Sequence, residues 1–321
     1  MLYRMINFIQ VFTFFSFLSV SLQAQQLPNF TQYRETQGIL NPAFISSDYM
    51  LNGQNLTVGA SYRTQFVGIK RNPKTQILRG EYVSHKGTFF KPVLGGFVLN
   101  DQISTFGTTG VYGKIAVLGS HDPRYGGFSA GLTAGYSRLS FNATEIAWHD
   151  AGDVFAQQNL NKGYLDIGLG VFGYLSLTGK TRFGFGEGSN DIVYGGLSIP
   201  QMLSPTLKFS NTPQEIDIQR NPHVYFTAGF YKFIGQDNFI EPSIWVKYVK
   251  NAPVHINLNL RYQIKNKLWL GGGYSTAKTL HAETGFWLGN TLKVGYGFDY
   301  ALSNIASFLG VAHEVHLAFV R

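Results

Sequence analysis

The chain of 321 residues has no cysteine and, beyond its N-terminal region, no long apolar run. Without cysteine there is no disulfide framework to support a small extracellular fold. Without a further run of about 18 apolar residues there is no candidate for a membrane-spanning helix. Charged residues are also scarce, at 14% of the chain. These absences leave a fold that must be stabilised by its sheet or its core.

The first 24 residues have the composition of a secretory signal peptide. Arg4 supplies a positive charge, residues 6–22 are rich in Phe, Val, Leu and Ile, and Ala24 precedes the expected cleavage point. An N-terminal membrane helix is the alternative, but polar residues interrupt the stretch. No cysteine follows it, which excludes a lipid anchor there. We therefore expect an exported protein of the periplasm, the outer membrane or the exterior.

Glycine and the aromatic residues are abundant, with 37 Gly, 18 Tyr, 27 Phe and 4 Trp. Outer-membrane barrels use aromatic side chains at both membrane interfaces and small residues where the wall is tight. The formal net charge is +8. The Lys and Arg residues are scattered and form no stripe, so we expect phosphate-rich lipid head groups, and no nucleic acid, as the partner.

The most informative stretch is 254–264, which alternates between apolar and polar residues. The apolar parity comprises Val254, Ile256, Leu258, Leu260, Tyr262 and Ile264. The polar parity comprises His255, Asn257, Asn259, Arg261 and Gln263. Successive side chains of a strand point to opposite faces, and about 9–11 residues of tilted strand cross a bilayer. The first set is predicted to face lipid and the second to face the lumen of a barrel.

The same alternation recurs in 281–288, 292–300 and 314–319. It predicts an all-β protein, a transmembrane outer-membrane antiparallel β-barrel of about 14 strands (12–16) over residues 52–321. The strands are expected near 56–65, 76–86, 92–101, 108–118, 126–137, 163–175, 190–199, 222–234, 239–249, 254–264, 268–277, 280–289, 291–302 and 312–321. The two longest connections, 138–162 and 200–221, follow odd-numbered strands, which predicts that they lie outside the cell and could meet a partner.

Residues 25–51 are polar and do not alternate, so we expect an irregular N-terminal periplasmic arm or a plug in the lumen. Pro42 biases Asn41 toward extended geometry, as suits an arm that turns into the wall. Arg63 and Gln65 share the parity that faces the lumen, where they could grip this arm. In the last strand, Glu314 and His316 are predicted to face the lumen as well.

Two short motifs suggest other chemistry. Residues 168–173 match G-x-G-x-x-G, which binds dinucleotides when it leads from a strand into a helix. Here it lies inside a strand pattern, which argues against nucleotide binding. His313 and His316 are three residues apart, and a strand would send their rings to opposite faces. That spacing does not predict a metal site.

A loop at 138–162 carries His149, Asp150 and Asp153. Carboxylates in an outside loop can hold calcium, but a solvated polar loop is the more common explanation. No serine has the surroundings of a nucleophile. The sequence therefore predicts no catalytic residue, no metal and no cofactor.

Several phrases of the chain, taken in order, resemble one family. They are Leu40–Ala43 (LNPA), Tyr62–Phe66 (YRTQF), Tyr164–Gly170 (YLDIGLG), Tyr194–Pro200 (YGGLSIP), Glu241–Ser243 (EPS), Leu268–Gly271 (LWLG), Gly295–Tyr300 (GYGFDY) and His313–Glu314. Phe66 stands where the family usually has tryptophan. Each phrase is weak alone, but the ordered set resembles the PorP/SprF family of type IX secretion system membrane proteins over nearly all of the mature chain.

The resemblance implies an outer-membrane barrel of Bacteroidota that is associated with type IX secretion and, in some members, with gliding motility. Some members resemble machinery that touches the periplasmic ring, and others retain a large secreted adhesin at the surface. The implied function is non-enzymatic. The barrel would anchor or guide a secreted adhesin, or act with periplasmic type IX proteins. A porin or hydrophobic-solute transporter is the alternative.

Overall fold

The structure is a computed structural model that describes residues 30–87, 89–142, 160–177, 190–203, 205–209, 216–235, 238–265, 267–302 and 310–321. The predicted signal peptide, 1–24, lies outside the described residues, as do His149, Asp150 and Asp153. Within the described residues, neither helix is long and apolar enough to cross a membrane.

Two short helices precede a series of strands. The helices are α1 (Tyr33–Leu40) and α2 (Ser47–Asn52). The strands are β1 (Leu56–Thr64), β2 (Lys74–Val83), β3 (Phe90–Ile103), β4 (Phe106–Gly119), β5 (Gly126–Phe141), β6 (Leu160–Ser176), β7 (Ile192–Ile199), β8 (Thr206–Phe209), β9 (Ile216–Gln219), β10 (His223–Ile234), β11 (Asn238–Val249), β12 (His255–Ile264), β13 (Leu268–Ser275), β14 (Thr279–Leu288), β15 (Leu292–Ala301) and β16 (Ala312–Val320).

Fourteen of these strands form one closed antiparallel barrel, which confirms the predicted fold class and strand number. Each strand pairs with its neighbours in the chain, except that β7 pairs with β10 and the short hairpin β8–β9 stands apart. β1 closes the barrel against β16, with Ser61 opposite His316. Closure leaves no sheet edge unpaired, as lipid requires.

The outward face of the wall is apolar. On β12, Leu258 and Leu260 are 52% and 54% exposed, whereas Asn257 and Arg261, which flank this pair on either side, are buried. The same holds round the barrel for outward residues of other strands, such as Leu94, Ile115, Leu165, Leu197 and Leu317. An exposed apolar belt of this extent is stable against lipid and not against water.

The two ends of the barrel differ in their connections. The long connections 142–159 and 200–222 leave from the same end as 65–73 and 302–311. We name this the outer end, because outer-membrane barrels carry their longer loops outside the cell. The opposite, inner end has mostly short turns, such as 265–267 and 289–291.

The structure differs from the expected elements in three ways. The segment expected to be irregular contains α1 and α2. The outer connection 200–222 contains the hairpin β8–β9, whose four-residue strands are too short to show alternation. β5 and β6 are longer than expected because their pairing continues to Phe141 and Leu160.

The lipid-facing parity of β12 can be tested with one charge at two depths. Leu260→Arg places a cation near the middle of the strand and should destabilise the barrel by about 2–4 kcal/mol. Val254→Arg, one residue before the outer end of the same strand, should cost about 0–1 kcal/mol. Urea unfolding in lipid vesicles measures both. Equal costs for the two variants would contradict the assignment of Leu260 to the bilayer.

Candidate functional site

The most distinctive site is the interior, which residues 30–53 fill as a plug. The plug begins in the outer half of the lumen, where the backbone amide of Thr31 donates to Glu314 Oε2 (2.8 Å). It ends at the inner end, where Asp48 lies 2.7 Å from Lys293 Nζ. The chain then enters the wall at Leu56.

Local sequence explains the shape of the plug. Asn41 ends α1 in extended geometry (φ −131°, ψ 111°), the conformation that a following proline favours. The hydroxyl of Ser46 accepts from the Asp48 amide (3.1 Å) and caps the start of α2. Gly53 ends α2 with φ +70°, which glycine adopts without strain.

The plug packs its apolar side chains on two apolar patches of the inner wall. Residues of α2 and its approach, such as Phe44 and Met50, pack on Phe172, Tyr194 and Phe239. A second cluster, nearer the outer end, joins α1 and the residues just before it to the wall. It comprises Phe30, Tyr33, Ile39, Leu40, Ile77, Phe97, Leu99, Tyr112, Tyr225 and Trp245. Burial of these side chains holds the plug by the hydrophobic effect.

Glu35 of α1 is the centre of a buried charge cluster. Its carboxylate lies within 3.6 Å of basic groups on four different strands: Arg79, Arg261, Lys293 and His316. Glu35 belongs to the plug and not to a membrane-spanning strand. Burial by itself would raise the pKa of the Glu35 carboxyl. Lys293 and the other three basic groups together lower this pKa by more than burial raises it, so the pKa is well below its usual range. The plug therefore carries a negative charge into a positive part of the wall.

A second ion pair has the opposite polarity. Arg34 of the plug lies 2.7 Å from Glu241 on β11, and both side chains are buried. The Tyr194 hydroxyl donates to the other carboxylate oxygen of Glu241 (2.7 Å), and the guanidinium of Arg34 lies 5.0 Å from the ring centre of Tyr231. Buried charges are stable in proteins when paired in this way.

Glycines of the wall make room for the corner at Asn41 and Pro42. A Cβ on Gly170 would lie 2.1 Å from Asn41 Oδ1, and one on Gly196 would lie 2.6 Å from Asn41 Nδ2. A Cβ on Gly131 would meet the carbonyl of Pro42 at 2.4 Å. Asn41 Nδ2 donates to the backbone oxygen of Val171 (3.0 Å). The corner is therefore set into a notch of the wall that no larger residue would allow.

Arg63 contacts the start of the plug. Its guanidinium donates to the Thr31 hydroxyl, pairs with Asp299 and lies 3.5 Å from Glu314 Oε2. Gln65 lies further out, where it lines a cavity beside Phe30. Of the two residues predicted to grip the arm, the structure thus places Arg63 on it and Gln65 beside it.

The polar parity of β12 divides along the strand. His255 and Asn257 line a cavity of about 310 Å³ near the outer end, which we name the outer cavity. Asn259 is hydrogen-bonded to His281, and Arg261 forms two bonds to Glu283 (2.6 and 2.7 Å) in addition to its contact with Glu35. Gln263 lies nearest the inner end and is buried. In β16, Glu314 and His316 are fully buried.

The two short motifs have structural roles. Residues 168–173 lie within β6, which continues as a strand to Ser176, and Gly170 admits the Asn41 corner. His316 Nδ1 is hydrogen-bonded to Ser61 in the lumen (2.8 Å), whereas His313 contacts the outward-facing Tyr296 (2.6 Å). In the part of the chain that the structure describes, no three His, Asp or Glu residues are grouped as metal ligands.

The strand patterns single out Arg261 and His316 as lumen-facing, but not Arg34 and Glu35 of the plug or their other partners Arg79, Glu241 and Lys293. A signal was present, since charged residues such as Arg79, Glu241 and Lys293 occupy lumen-facing positions of the strands. Charges at such positions need partners of opposite sign inside the barrel. The adjacent Arg34 and Glu35 of the arm could have been matched to them.

The outer connection 200–222, expected to be an outside surface, turns partly into the mouth. Arg220 is buried, lies 3.1 Å from Asp166 and donates to Gln201 Oε1 (2.7 Å). Leu207 on β8 is buried as well, while Met202 and Leu203 are exposed. The polar partners of Arg220 inside the barrel mouth, Asp166 and Gln201, explain why this connection folds inward. The described residues Met202 and Arg220 of this connection contact Ile167 and Asp166 of β6, whereas the outer cavity is lined from β11 to β16 and β1.

The fold and the filled lumen define this protein as a plugged β-barrel of the outer membrane. The sequence matches the family of the type IX secretion system membrane protein PorP/SprF over residues 22–319, and the chain belongs to that family. No match was found among curated proteins.

Solved structures are similar in fold. A mutant of the monoaromatic hydrocarbon channel TodX (deltaS2S3) superimposes with a TM-score of 0.51 at 10% identity, covering 88% of this chain and 92% of that one. The Pseudomonas putida toluene transporter TodX has a TM-score of 0.48 at 10% identity, covering 88% and 91%. The Acinetobacter baumannii outer membrane protein Omp33 has a TM-score of 0.44 at 11% identity, covering 84% and 98%.

The phrases that carry the family resemblance meet at contacts between plug and wall. LNPA supplies Asn41, which lies against Gly170 of YLDIGLG and Gly196 of YGGLSIP. YRTQF supplies Arg63, which pairs with Asp299 of GYGFDY and Glu314 of the last strand. Segments distant in the sequence thus build one interior.

Two alanine substitutions in β6 test the notch. Gly170→Ala would drive a methyl group into Asn41, whereas a Cβ on the outward Gly173 would have no atom nearer than 3.6 Å. Overpacking of this kind costs about 1–3 kcal/mol. We expect Gly170→Ala to expose the plug to limited proteolysis at residues 30–53, and Gly173→Ala to behave as wild type. Equal protection of both variants would contradict a tight notch.

A charge substitution tests the Glu35 cluster. Glu35→Gln leaves Arg79, Arg261 and Lys293 with less negative charge, and breaking a buried pair costs about 3–5 kcal/mol. We expect the lower end, because Arg261 and Lys293 retain Glu283 and Asp48. Lys232→Gln breaks an exposed pair with Asp191 and should cost at most about 1 kcal/mol. Urea unfolding in lipid vesicles compares the two variants, and similar costs would refute the role of Glu35.

Proposed function

We propose that this barrel is a non-enzymatic scaffold of type IX secretion, which anchors or guides a secreted surface adhesin at the outer end. The family membership gives the pathway. The observation that carries the scaffold role is the plug, which fills the lumen. It is tied to the wall by buried ion pairs on two adjacent residues of the first turn of α1, Arg34 with Glu241 and Glu35 with its basic partners. A filled lumen offers surfaces to other proteins and no wide path for solutes.

Each end of the barrel offers a surface for a different partner. At the outer end, Met202 and Leu203 at the start of the connection 200–222 are exposed. At the inner end, the turns 84–89 and 120–125 face the periplasm. We assign the secreted protein to the first surface and periplasmic type IX machinery to the second.

A hydrophobic-solute transporter is the second candidate. The likeness to a TodX mutant extends to the fold and no further. The outer cavity, where a solute would enter, is lined by Arg63, His255, Asn257 and Asp299 as well as by aromatic residues. An apolar solute would leave the Asn257 amide nitrogen without a partner and would remove water from the Arg63–Asp299 pair, which disfavours its entry.

A photo-cross-linking residue at Met202 or Leu203 tests the scaffold role in the native cell. We expect it to capture a secreted protein that also disappears from the cell surface when the gene is deleted. The matched control is the same residue at the lipid-facing Leu260, which should capture none. Normal display of all secreted proteins in the deletion strain would sink the proposal.

Planar-bilayer conductance separates the two candidates. A scaffold should be closed, with brief openings that become frequent when Glu35→Gln loosens the plug. A large steady current from the wild-type barrel would favour a pore.

A further inference from the structure

The outer cavity is bounded by the start of the plug and by the wall from β11 to β16 and β1. Phe30 and Thr31 form its floor, and the small residues Ala277, Ala301 and Ala312 leave the space. Its volume, about 310 Å³, lies within the range of about 300–1,000 Å³ that is typical of small-molecule sites. The space lies above the plug and requires no movement of the plug to be filled.

The charges that line the outer cavity already have partners. Arg63 pairs with Asp299 and lies 3.5 Å from Glu314, beneath the cavity. A bound anion would compete with two carboxylates for this guanidinium, and a bound cation would compete with the guanidinium for Asp299. The electrostatics therefore favour a neutral ligand.

The rest of the lining is rich in neutral hydrogen-bonding groups. His255, Asn257, Ser275, Thr279 and His281 all border the cavity. Asn257 is 7% exposed, and its Nδ2 has no hydrogen-bond partner within the described residues. A buried donor without a partner costs about 1–3 kcal/mol. An acceptor on a ligand would recover that cost, which a hydrocarbon cannot do.

The cavity also has aromatic walls. Trp245 lies parallel to the ring of His255, with centroids 5.2 Å apart and an interplanar angle of 22°. Phe30 and Phe66 border the same space. A ligand that suits this site has an apolar ring face for the aromatic side chains and several hydroxyl groups for the neutral polar residues.

We propose that the outer cavity is a binding site for a neutral saccharide. A pyranose ring combines a C–H face with hydroxyl groups that both donate and accept hydrogen bonds, and it carries no charge to disturb the Arg63–Asp299 pair. The saccharide is either free or the end of a surface polysaccharide, since both present the same hydroxyl groups. The site is independent of the scaffold role and would stand if that role failed.

Binding is tested on the full chain in phosphatidylcholine nanodiscs, because sugar-based detergents would compete. The probes are glucose, galactose, mannose and N-acetylglucosamine with their disaccharides, detected by saturation-transfer NMR and titration calorimetry. Toluene and glucuronate serve as apolar and anionic comparisons. We expect at least one neutral saccharide to bind with a Kd at or below about 1 mM. Failure of the whole panel to bind saturably, or tighter binding of toluene or glucuronate, would overturn the proposal.

Variants place the binding in the outer cavity. Ala301→Trp fills the space and should weaken saccharide binding at least about tenfold. Ala282→Trp, on the lipid face of β14, should bind as wild type. Trp245→Phe removes the indole and should also weaken binding, whereas Trp287→Phe, near the inner end, should not. Heat-modifiable gel mobility verifies that each barrel is folded. Equal binding by Ala301→Trp and Ala282→Trp would place the saccharide elsewhere and refute the site.

A soluble polysaccharide built from the preferred sugar distinguishes the two sources. Tighter binding of the polymer than of its free disaccharide assigns the site to polymer ends. Equal or weaker binding assigns it to free saccharides. Either result supports the site, provided that the Ala301→Trp variant binds this polysaccharide no more tightly than it binds an unrelated polymer.

Discussion

The pairing of β1 with β16 is the constraint on which the rest of the structure depends. A sheet in lipid must satisfy every backbone donor and acceptor within itself, so its first and last strands have to meet. Closure of fourteen strands then sets an interior that is wider than the wall side chains alone can fill, unlike a barrel of about eight strands. The chain meets this second requirement with residues 30–53, which fold into two helices inside the lumen.

Plug and wall are matched by two kinds of contact with different physical character. Apolar packing of Phe44, Met50 and their neighbours is tolerant of small shifts, because burial energy scales with area and not with direction. The ion pairs of Arg34 and Glu35 are directional. Arg34 brings a positive charge to Glu241, and Glu35 brings a negative charge to basic groups of the wall, so the plug fits the wall in one orientation. The glycine notch at Asn41 fixes its height, since Gly170 and Gly196 admit that corner and a Cβ at either position would not.

The same arrangement explains why alternation is clear in some strands and weak in others. β12 faces the outer cavity and the Glu35 cluster, so its lumen parity is polar from His255 to Gln263. β3, β4 and β6 face the apolar side of the plug and carry Phe97, Leu99, Tyr112 and Phe172 toward the lumen. Both faces of those strands are apolar over part of their length, and the period of two is hidden. Several family phrases lie where plug and wall are closely fitted, at the Asn41 corner and at Arg63.

The sequence by itself determined the membrane and the closed barrel of fourteen strands, because strand parity and turn positions are local properties that survive in the order of residues. The family was indicated separately, by the ordered set of short phrases. The sequence did not determine the structure of the described part of the N-terminal arm, which contains two helices where an irregular segment was expected. Helices of eight and six residues are marginal in isolation, and α1 and α2 are stable because the wall surrounds them. Only the tertiary structure decided that Glu35 meets Arg79, Arg261, Lys293 and His316. Those partners come from four strands, from β2 near the start of the barrel to β16 at its end, and their distances depend on the closure of the barrel.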